Sequence, residues 1–262
     1  MSNGLLEGKR GIITGVANEK SIAWGCAQAA AAQGAQLAFS YLGDAQEKRV
    51  KKLIEAIPGS LCFPCDASDD ESIDAFFTSI KAEWDSIDFL VHSIAYADKE
   101  DLAGRFVNTS RKNYAMALDI SAYTLVALAR GAEPLMPNGG SIVAMTYYGA
   151  EKVLPGYNVM GVAKAALEAS ARYLAYDLGT QNIRVNCISA GPVRTLSSAA
   201  ISGFRKMLNA NAAVAPLRRN ITTAEVGATT VYLLSDLASG VTGETHHVDA
   251  GYNILGMFGE LE

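Results

Sequence analysis

The sequence predicts a doubly wound α/β fold, a parallel sheet covered by helices on both faces. Three observations carry this reading. Short apolar runs alternate with helix-length segments along the chain, several runs end in glycine or small polar residues, and half of the 262 residues are hydrophobic. Parallel strands buried on both faces read as near-continuous apolar runs, and each needs a crossover before the next. A chain of this length and composition can bury one sizeable core, so one domain over residues 1–262 is expected.

In chain order, "RGIITG" is a short apolar run ending in glycine, and "SIAWGCAQAAAAQGA" has the alanine density of a helix. "QLAFSY" reads as a strand, followed by a charged helix from about Ala45 to Ile57. "SLCFPCD" is a strand running into a turn, then come a helix from about Glu71 to Trp84 and the strand "IDFLVHSIA". A helix near Arg111 to Gly131, the strand "GGSIVAMTY" and a helix beginning near Tyr157 continue the alternation. "IRVNCISAG", a helix near Thr223 to Leu234 and a final "GETHHVDAG" complete it. Right-handed crossovers then give a Rossmann-like three-layer sandwich, with ligands beyond the carboxyl ends of the strands. Residues 95–110 and 192–222 have weak periodicity and follow strands at that ligand side. They are either substrate-contacting loops or surface decoration.

The formal net charge of −5 and the dispersed lysines and arginines leave no basic face, which excludes nucleic acid as an expected partner. "MSNGLLEGKRGIITG" lacks a cleavage-site pattern, and the longest mainly apolar stretches fall short of the roughly 20 residues a membrane span requires. A cytoplasmic protein with no membrane contact is expected. Four cysteines are too few for a disulfide scaffold, and Cys62 and Cys65, despite redox or zinc spacing, lie in a strand with no second pair nearby. No metal site is expected. His92 reads as a loop histidine, and His246 and His247 alternate on a late strand without a metal-binding constellation.

After the first strand, "TGVANEKSIAWG" places Gly15 at the strand end and Ser21 where a helix begins. Ser21 can cap that helix, and its hydroxyl can meet an anion drawn to the free N–H groups. The spacing is not the compact G-x-G-x-x-G fingerprint, and an ordinary glycine turn with a helix cap explains it equally. Asp66 follows the third strand, where it can accept from an adenine amino group, and Ser93, Ile94 and Ala95 follow the fourth, where small residues admit a flat ligand. A turn aspartate and a loop serine explain each singly; their placement at successive strand ends argues for one crevice. At the end of the second strand, "SYLGD" offers Leu42, with Asp44 two residues later leaning toward NAD or forming the turn.

The segment "YYGAEKVLPGYNVMGVAK" spans residues 147–164. On a helix, positions 157, 160, 161 and 164 share a face, and seven residues rise about 10.5 Å. Tyr157 and Lys164 are then too far apart to bond directly but are able to meet one extended ligand. Pro155 and Gly156 put Tyr157 at the helix entrance. A phenol with pKa near 10 serves as an acid when an ammonium stabilises its phenolate. A surface lysine and a packing tyrosine remain the plain alternative.

With "TGVANEKSIAWG", "VHSIA", "YNVMGVAK" and "ISAGPVRTL" in this order, the chain resembles the short-chain dehydrogenase/reductase superfamily. It is more similar to the bacterial NADH-dependent enoyl-[acyl-carrier-protein] reductase family of type II fatty acid synthesis, over nearly its whole length. Most of the superfamily carries tyrosine four residues before the lysine; here that position is Met160, which cannot donate a proton. The enoyl reductase branch resembles this chain in placing tyrosine seven before lysine, with another matching Tyr147. Chemistry supplies a reason. Hydride reaches the β carbon of an enoyl thioester, and charge gathers on an oxygen two carbon bonds away, roughly 3 Å, so the hydroxyl must sit elsewhere.

The resemblance implies roles residue by residue. Tyr157 bonds the thioester oxygen and stabilises the enolate, Lys164 binds the nicotinamide ribose, and Tyr147 lines the acyl pocket or assists protonation. NADH is the implied cofactor, with NADPH not excluded, held by Gly15, Ser21, Ile22, Leu42, Asp66, Ala67, Ser93, Ile94, Ala95, Lys164, Val193 and Thr195. Met160 packs against substrate or cofactor, and Tyr148 reads as packing or surface. The substrate-binding segment covers about 193–222, where "LSSAAISGFRKML" supplies Ser197, Ser198, Ile201 and Phe204 as acyl contacts, a solvent-facing amphipathic helix being the alternative. Arg205 and Lys206 are implied contacts for acidic acyl carrier protein. Ser202 replaces a frequent family lysine, and Leu42 stands where some members carry glutamine. The family's homotetramers suggest subunit contacts through "YNILGMFG". The alternatives are a 3-ketoacyl or other carbonyl reductase of the superfamily, which Met160 and the displaced Tyr157 disfavour, and a non-catalytic dinucleotide-sensing protein. The latter would have little need for both Tyr157 and Lys164.

Overall fold

In chain order the strands are β1 (Arg10–Ile13), β2 (Gln36–Tyr41), β3 (Leu61–Pro64), β4 (Phe89–His92), β5 (Gly140–Thr146), β6 (Ile183–Ala190) and β7 (Thr245–Val248). They form a seven-stranded sheet in the order β3-β2-β1-β4-β5-β6-β7, every neighbouring pair parallel. The structure is a computed structural model that describes residues 4–102, 104–195 and 204–256. β1 pairs with β2 on one side and β4 on the other, so the strand order reverses there and a crevice opens beyond their carboxyl ends.

The helices are α1 (Ile22–Ala32), α2 (Gly43–Ile54), α3 (Asp70–Glu83), α4 (Lys99–Leu102), α5 (Arg111–Leu118), α6 (Thr124–Ala132), α7 (Asn158–Leu178), α8 (Phe204–Val214) and α9 (Thr223–Leu234). Strand alternation divides two cores. Ile12, Ala38, Leu90, Ile142 and Val185 face α3, α6 and α7, whereas Ile13, Phe39, Phe89, Val91, Val143 and Ile188 face α1 and α9. Each fully buried Leu, Ile or Phe contributes about 1.5–3 kcal/mol from removal of apolar surface, which holds the strand ends in place from both sides. The α1–α9 crossing is close because both helices carry glycine there: a Cβ on Gly227 would lie 2.6 Å from the Gly25 carbonyl oxygen.

Two features depart from the expectation. The weakly periodic segments contain two helices, α4, a single turn with no buried residue, and α8, which is amphipathic. The continuous helical stretch Arg111–Leu135 is also long and apolar enough to cross a membrane by length and composition, contrary to the reading that no stretch would be. Its apolar residues are spent on the protein core, where Ala122, Leu125, Leu128 and Ala132 pack against α3 and the sheet. Between α5 and α6 the stretch opens into a π-turn over Asp119–Tyr123, where Thr124 returns its hydroxyl to the Ile120 carbonyl at 2.7 Å.

Candidate active site

Gly15 leaves β1 at φ +83°, and a Cβ there would lie 2.1 Å from the Ser93 carbonyl oxygen. The exits of β1 and β4 therefore approach one another only because residue 15 has no side chain. Thr14 Oγ1 donates to the Val91 carbonyl at 3.1 Å and accepts from Ser93 N at 3.3 Å, which ties the exits together. Beyond them lies a cavity of about 500 Å³. Its wall brings together Gly15, Ser21, Ile22, Ser93, Ala95, Val193 and Thr195 with Tyr147, Tyr157, Met160 and Lys164. Residues from six separate stretches of sequence thus share one space at the carboxyl edge.

Ser21 occupies the N-cap position of α1, but its side chain makes no cap bond. The expected cap is replaced by a loop clasp: Ser21 Oγ accepts from Ala17 N and Asn18 N, each at 3.0 Å. The hydroxyl hydrogen remains to donate, and the first turn of α1 is left without a side-chain acceptor. An uncapped helix start beside a backbone cradle that a Cβ would fill fits the phosphates of a dinucleotide. NADH therefore fits the residues present.

Tyr157 is the N-cap residue of α7, as its Pro-Gly approach predicts. Gly156 at φ +78° and Asn158 at φ +41° turn the chain there, and Asn158 Nδ2 donates to the carbonyls of Asp101 and Gly104 at 3.2 and 3.3 Å. The rings of Tyr147 and Tyr157 meet edge to face with centroids 5.0 Å apart. Burial raises both phenols well above their ordinary range, and for Tyr157 the neighbouring Tyr147 and Glu168 add to the effect. Both therefore stay protonated at neutral pH. Tyr147 Oη also points to Met207 Sδ at 3.7 Å.

Lys164 is 6% exposed, and its ammonium donates to the Met145 carbonyl at 2.8 Å. Burial pushes it down to about 8, against the upward pull of Cys187 and Glu168. The anticipated stabilisation of a Tyr157 phenolate by this ammonium is not the resting arrangement, in which burial and negative neighbours keep the phenol neutral. One turn after Lys164, the carboxylate of Glu168 accepts from Thr146 Oγ1 at 2.6 Å. Glu168 and Thr146 escaped the sequence reading, as did the cavity-lining Tyr96, Lys99, Leu102 and Met207. A glutamate and a threonine carry no pattern of their own; only the meeting of β5 with α7 pairs them.

Several predicted residues do not line this cavity. Leu42 ends β2 with its side chain 60% exposed, while its N–H donates to Gln46 Oε1 at 2.6 Å. Asp66 builds a turn by accepting from Ser68 N at 2.9 Å and Ser68 Oγ at 2.6 Å, and Ala67 follows it. Ile94 packs against the core on the α3, α6 and α7 side of the sheet and does not line the cavity. Ser197, Ser198 and Ile201 lie outside the described residues, as does the side chain of Phe204. Arg205 and Lys206 are exposed at the start of α8.

His92 is buried, bonds Thr124 Oγ1 through Nε2 at 2.8 Å, and is pushed down to about 3 by burial and by Lys164, so it is neutral. Tyr148 packs, as read from the sequence, between His247 and Tyr252 with its hydroxyl on the Asn253 carbonyl at 3.1 Å. His247 Nε2 meets Glu151 Oε1 at 2.8 Å, and His246 lies against Tyr232. Cys65 is pushed up to about 12 by burial, which keeps its thiol protonated and unreactive.

Comparison with known proteins agrees with this geometry. The family described as Enoyl-(Acyl carrier protein) reductase matches residues 15–253. The NADH enoyl-[acyl-carrier-protein] reductase of Rickettsia prowazekii is 57% identical over 256 residues, covering 98% of both chains. The crystal structure of enoyl-(acyl-carrier-protein) reductase from Anaplasma phagocytophilum in complex with NAD superposes with TM-score 0.94 at 54% identity, covering 98% of this chain and 96% of that one. The Bacillus cereus enoyl-acyl carrier protein reductase with NADP+ and indole naphthyridinone gives TM-score 0.96 at 51% identity, covering 97% and 100%. With its tyrosine displaced to the entrance of α7 and its full-length likeness to these proteins, the chain belongs to the enoyl-(acyl carrier protein) reductase family, a divergent branch of the short-chain dehydrogenase/reductases.

Proposed function

We propose that the protein reduces the trans-2 double bond of enoyl-[acyl-carrier-protein] with NADH, giving the saturated acyl thioester of type II fatty acid synthesis. The observation that carries the reading is that Tyr157, Lys164 and Tyr147 line one cavity with the cofactor-side residues, while Met160 fills the place where a ketone's proton donor would stand. NADH when bound supplies hydride to the β carbon. Tyr157, neutral in its buried setting, donates a hydrogen bond to the thioester oxygen as negative charge gathers there. Lys164 holds the nicotinamide ribose from a position set by the Met145 carbonyl, and Tyr147 fixes the Tyr157 ring and walls the acyl channel. Met160, Met207 and Leu102 give the cavity an apolar lining around these polar groups.

Gly15, Ser21, Ile22, Ser93, Ala95, Val193 and Thr195 form the cofactor wall in this reading, with Leu42, Asp66, Ala67 and the Ile94 backbone on the adenosine side. The uncharged Leu42 offers nothing to a ribose phosphate, which favours NADH over NADPH. The exposed Arg205 and Lys206 suit the acidic face of acyl carrier protein. Residues 1–262 then act as one domain with a substrate segment at about 193–222. The reading takes the protein to be cytoplasmic and homotetrameric, as the family resemblance implies; exposed Tyr173 and Tyr176 on α7 and Ile254 near the C-terminus offer apolar surface for self-association.

The test is spectrophotometric: oxidation of NADH and of NADPH with crotonyl and longer enoyl thioesters. Enoyl-dependent NADH oxidation is expected, faster than with NADPH. Folded protein that binds NADH and reduces no enoyl thioester would remove the assignment.

A further inference from the structure

Three consecutive residues leaving the sheet are each engaged by the reducing helix or its entrance. The Met145 carbonyl accepts from Lys164 Nζ at 2.8 Å, the Thr146 hydroxyl donates to Glu168 Oε1 at 2.6 Å, and the Tyr147 ring lies 5.0 Å from that of Tyr157. Lys164 and Glu168 are four residues apart and so stack on one face of α7. Thr146 and Glu168 are 4% and 7% exposed. A carboxylate buried this far needs a donor, and Thr146 supplies it from the last residue of β5.

Resting on the reading given under Proposed function, we propose that Glu168 is a positioning residue of the reducing centre. Through Thr146 it locks the end of β5 against α7 and so sets Tyr147 against Tyr157, and its carboxylate is the buried countercharge of the Lys164 ammonium. Burial pulls the Lys164 ammonium toward its neutral form, and Glu168 opposes that pull. The polar and titratable groups around Glu168 come from β5, β6, β7, α7 and the segment before α7. Thr146 lies on β5, Glu151 precedes α7, Arg172 and Lys164 lie on α7 itself, and His247 lies on β7; Cys187 on β6 and the Tyr157 phenol are also within its field. Burial raises the carboxyl, with Glu151 adding to the rise, while the Thr146 hydroxyl, Arg172 and His247 favour the anion. Arg172 and His247 do not take over the Thr146 bond, since His247 is engaged with Glu151. Removing the carboxylate therefore loosens the strand exit and lowers the pH at which Lys164 loses its proton.

The experiment compares wild type, Glu168→Gln, Thr146→Val and Thr146→Ser, each read by NADH affinity against pH and by turnover of crotonyl thioester. Glu168→Gln keeps an amide oxygen that accepts from Thr146 Oγ1 and removes only the charge, so it is expected to move the alkaline loss of NADH affinity about one pH unit lower, with turnover falling on the alkaline side alone. Thr146→Val, which deletes the donor, should lower turnover roughly tenfold, and Thr146→Ser, which keeps the hydroxyl, should restore it. Glu168→Gln that melts lower but keeps turnover and the alkaline limb would show a merely structural carboxylate and overturn the proposal. If Glu168→Gln does not fold, the two threonine variants decide: equal turnover in both overturns it. A wild type that reduces no enoyl thioester refutes the function instead, and the NADH-affinity profile of Glu168→Gln still tests the countercharge.

Discussion

The ring of Tyr147, the first residue beyond β5, meets the ring of Tyr157, the residue that opens α7, edge to face at 5.0 Å and 81°. Such a pair contributes about 0.5–1.5 kcal/mol beyond its buried area and fixes the rotation of the phenol that faces substrate. Tyr157→Phe keeps the ring contact and deletes the hydroxyl. Turnover should fall roughly 10²–10⁴-fold with NADH affinity within about twofold of wild type. Tyr147→Phe should lose less than tenfold. Steady-state rates and fluorescence titration check both; equal losses in the two variants would mean that the donor has been misassigned.

Lys164 gives opposite pH signatures in binding and in stability. The ammonium exists in the folded protein only below about 8, so the NADH affinity it provides should decline as pH rises through that value. Stability runs the other way. The folded pKa is depressed below the ordinary lysine value of 10.5, so between about 8 and 10.5 the unfolded chain binds more protons and this lysine's unfavourable contribution fades. Lys164→Met should weaken NADH binding about 10- to 100-fold and stabilise the protein below pH 8 by up to about 3 kcal/mol, converting the shift at 1.36 kcal/mol per unit. Urea unfolding of both proteins across pH 6 to 10 isolates this group. A stability difference that grows with pH would contradict the burial account.

Gly15 is required by geometry at the cofactor cradle. Gly15→Ala places a methyl group 2.1 Å from the Ser93 carbonyl oxygen at a left-handed φ. A loss of about 2–4 kcal/mol in unfolding free energy is expected, with NADH affinity falling in the molecules that remain folded. Thermal melts with and without NADH measure both, and an unchanged melt would show that the two strand exits have room to part.

Far from the site, Thr222 caps α9: its hydroxyl accepts from Glu225 N, and the Glu225 carboxylate accepts from Thr222 N at 2.8 Å. Thr222→Ala should cost about 1 kcal/mol in chemical denaturation and leave enoyl reduction unaltered. A matching fall in activity would show that α9 transmits strain to the cavity across its crossing with α1.

The alternation of strands and helices was legible because parallel strands buried on both faces are near-continuous apolar runs, as "FLV" and "IVAM" are. The helix expected near Thr223 to Leu234 is α9, and the structure shows its start fixed by the Thr222–Glu225 capping box. Where tertiary contacts override local pattern, legibility fell. α4 is too short to show a period, and the Arg111–Leu135 stretch conceals a π-turn. At the site, Tyr157 and Lys164 were singled out by the family resemblance, their spacing alone leaving a packing tyrosine and a surface lysine open, whereas Glu168 reads as an ordinary helix glutamate until β5 brings Thr146 to it. Ser21 sits where a cap belongs, yet its hydroxyl serves the preceding loop, a choice made by the fold of residues 17–20.

The central claim is that moving the hydroxyl from position 160 to Tyr157 fits the site to a conjugated thioester rather than a ketone. The most direct measurement is the ratio of kcat/KM for crotonyl thioester to that for acetoacetyl thioester, with NADH, on the same preparation. A ratio above about 10³ is expected, equivalent to roughly 4 kcal/mol of transition-state discrimination, collapsing in Tyr157→Phe through loss of the enoyl rate alone. Comparable rates on the two thioesters, or a ketoacyl preference, would contradict it.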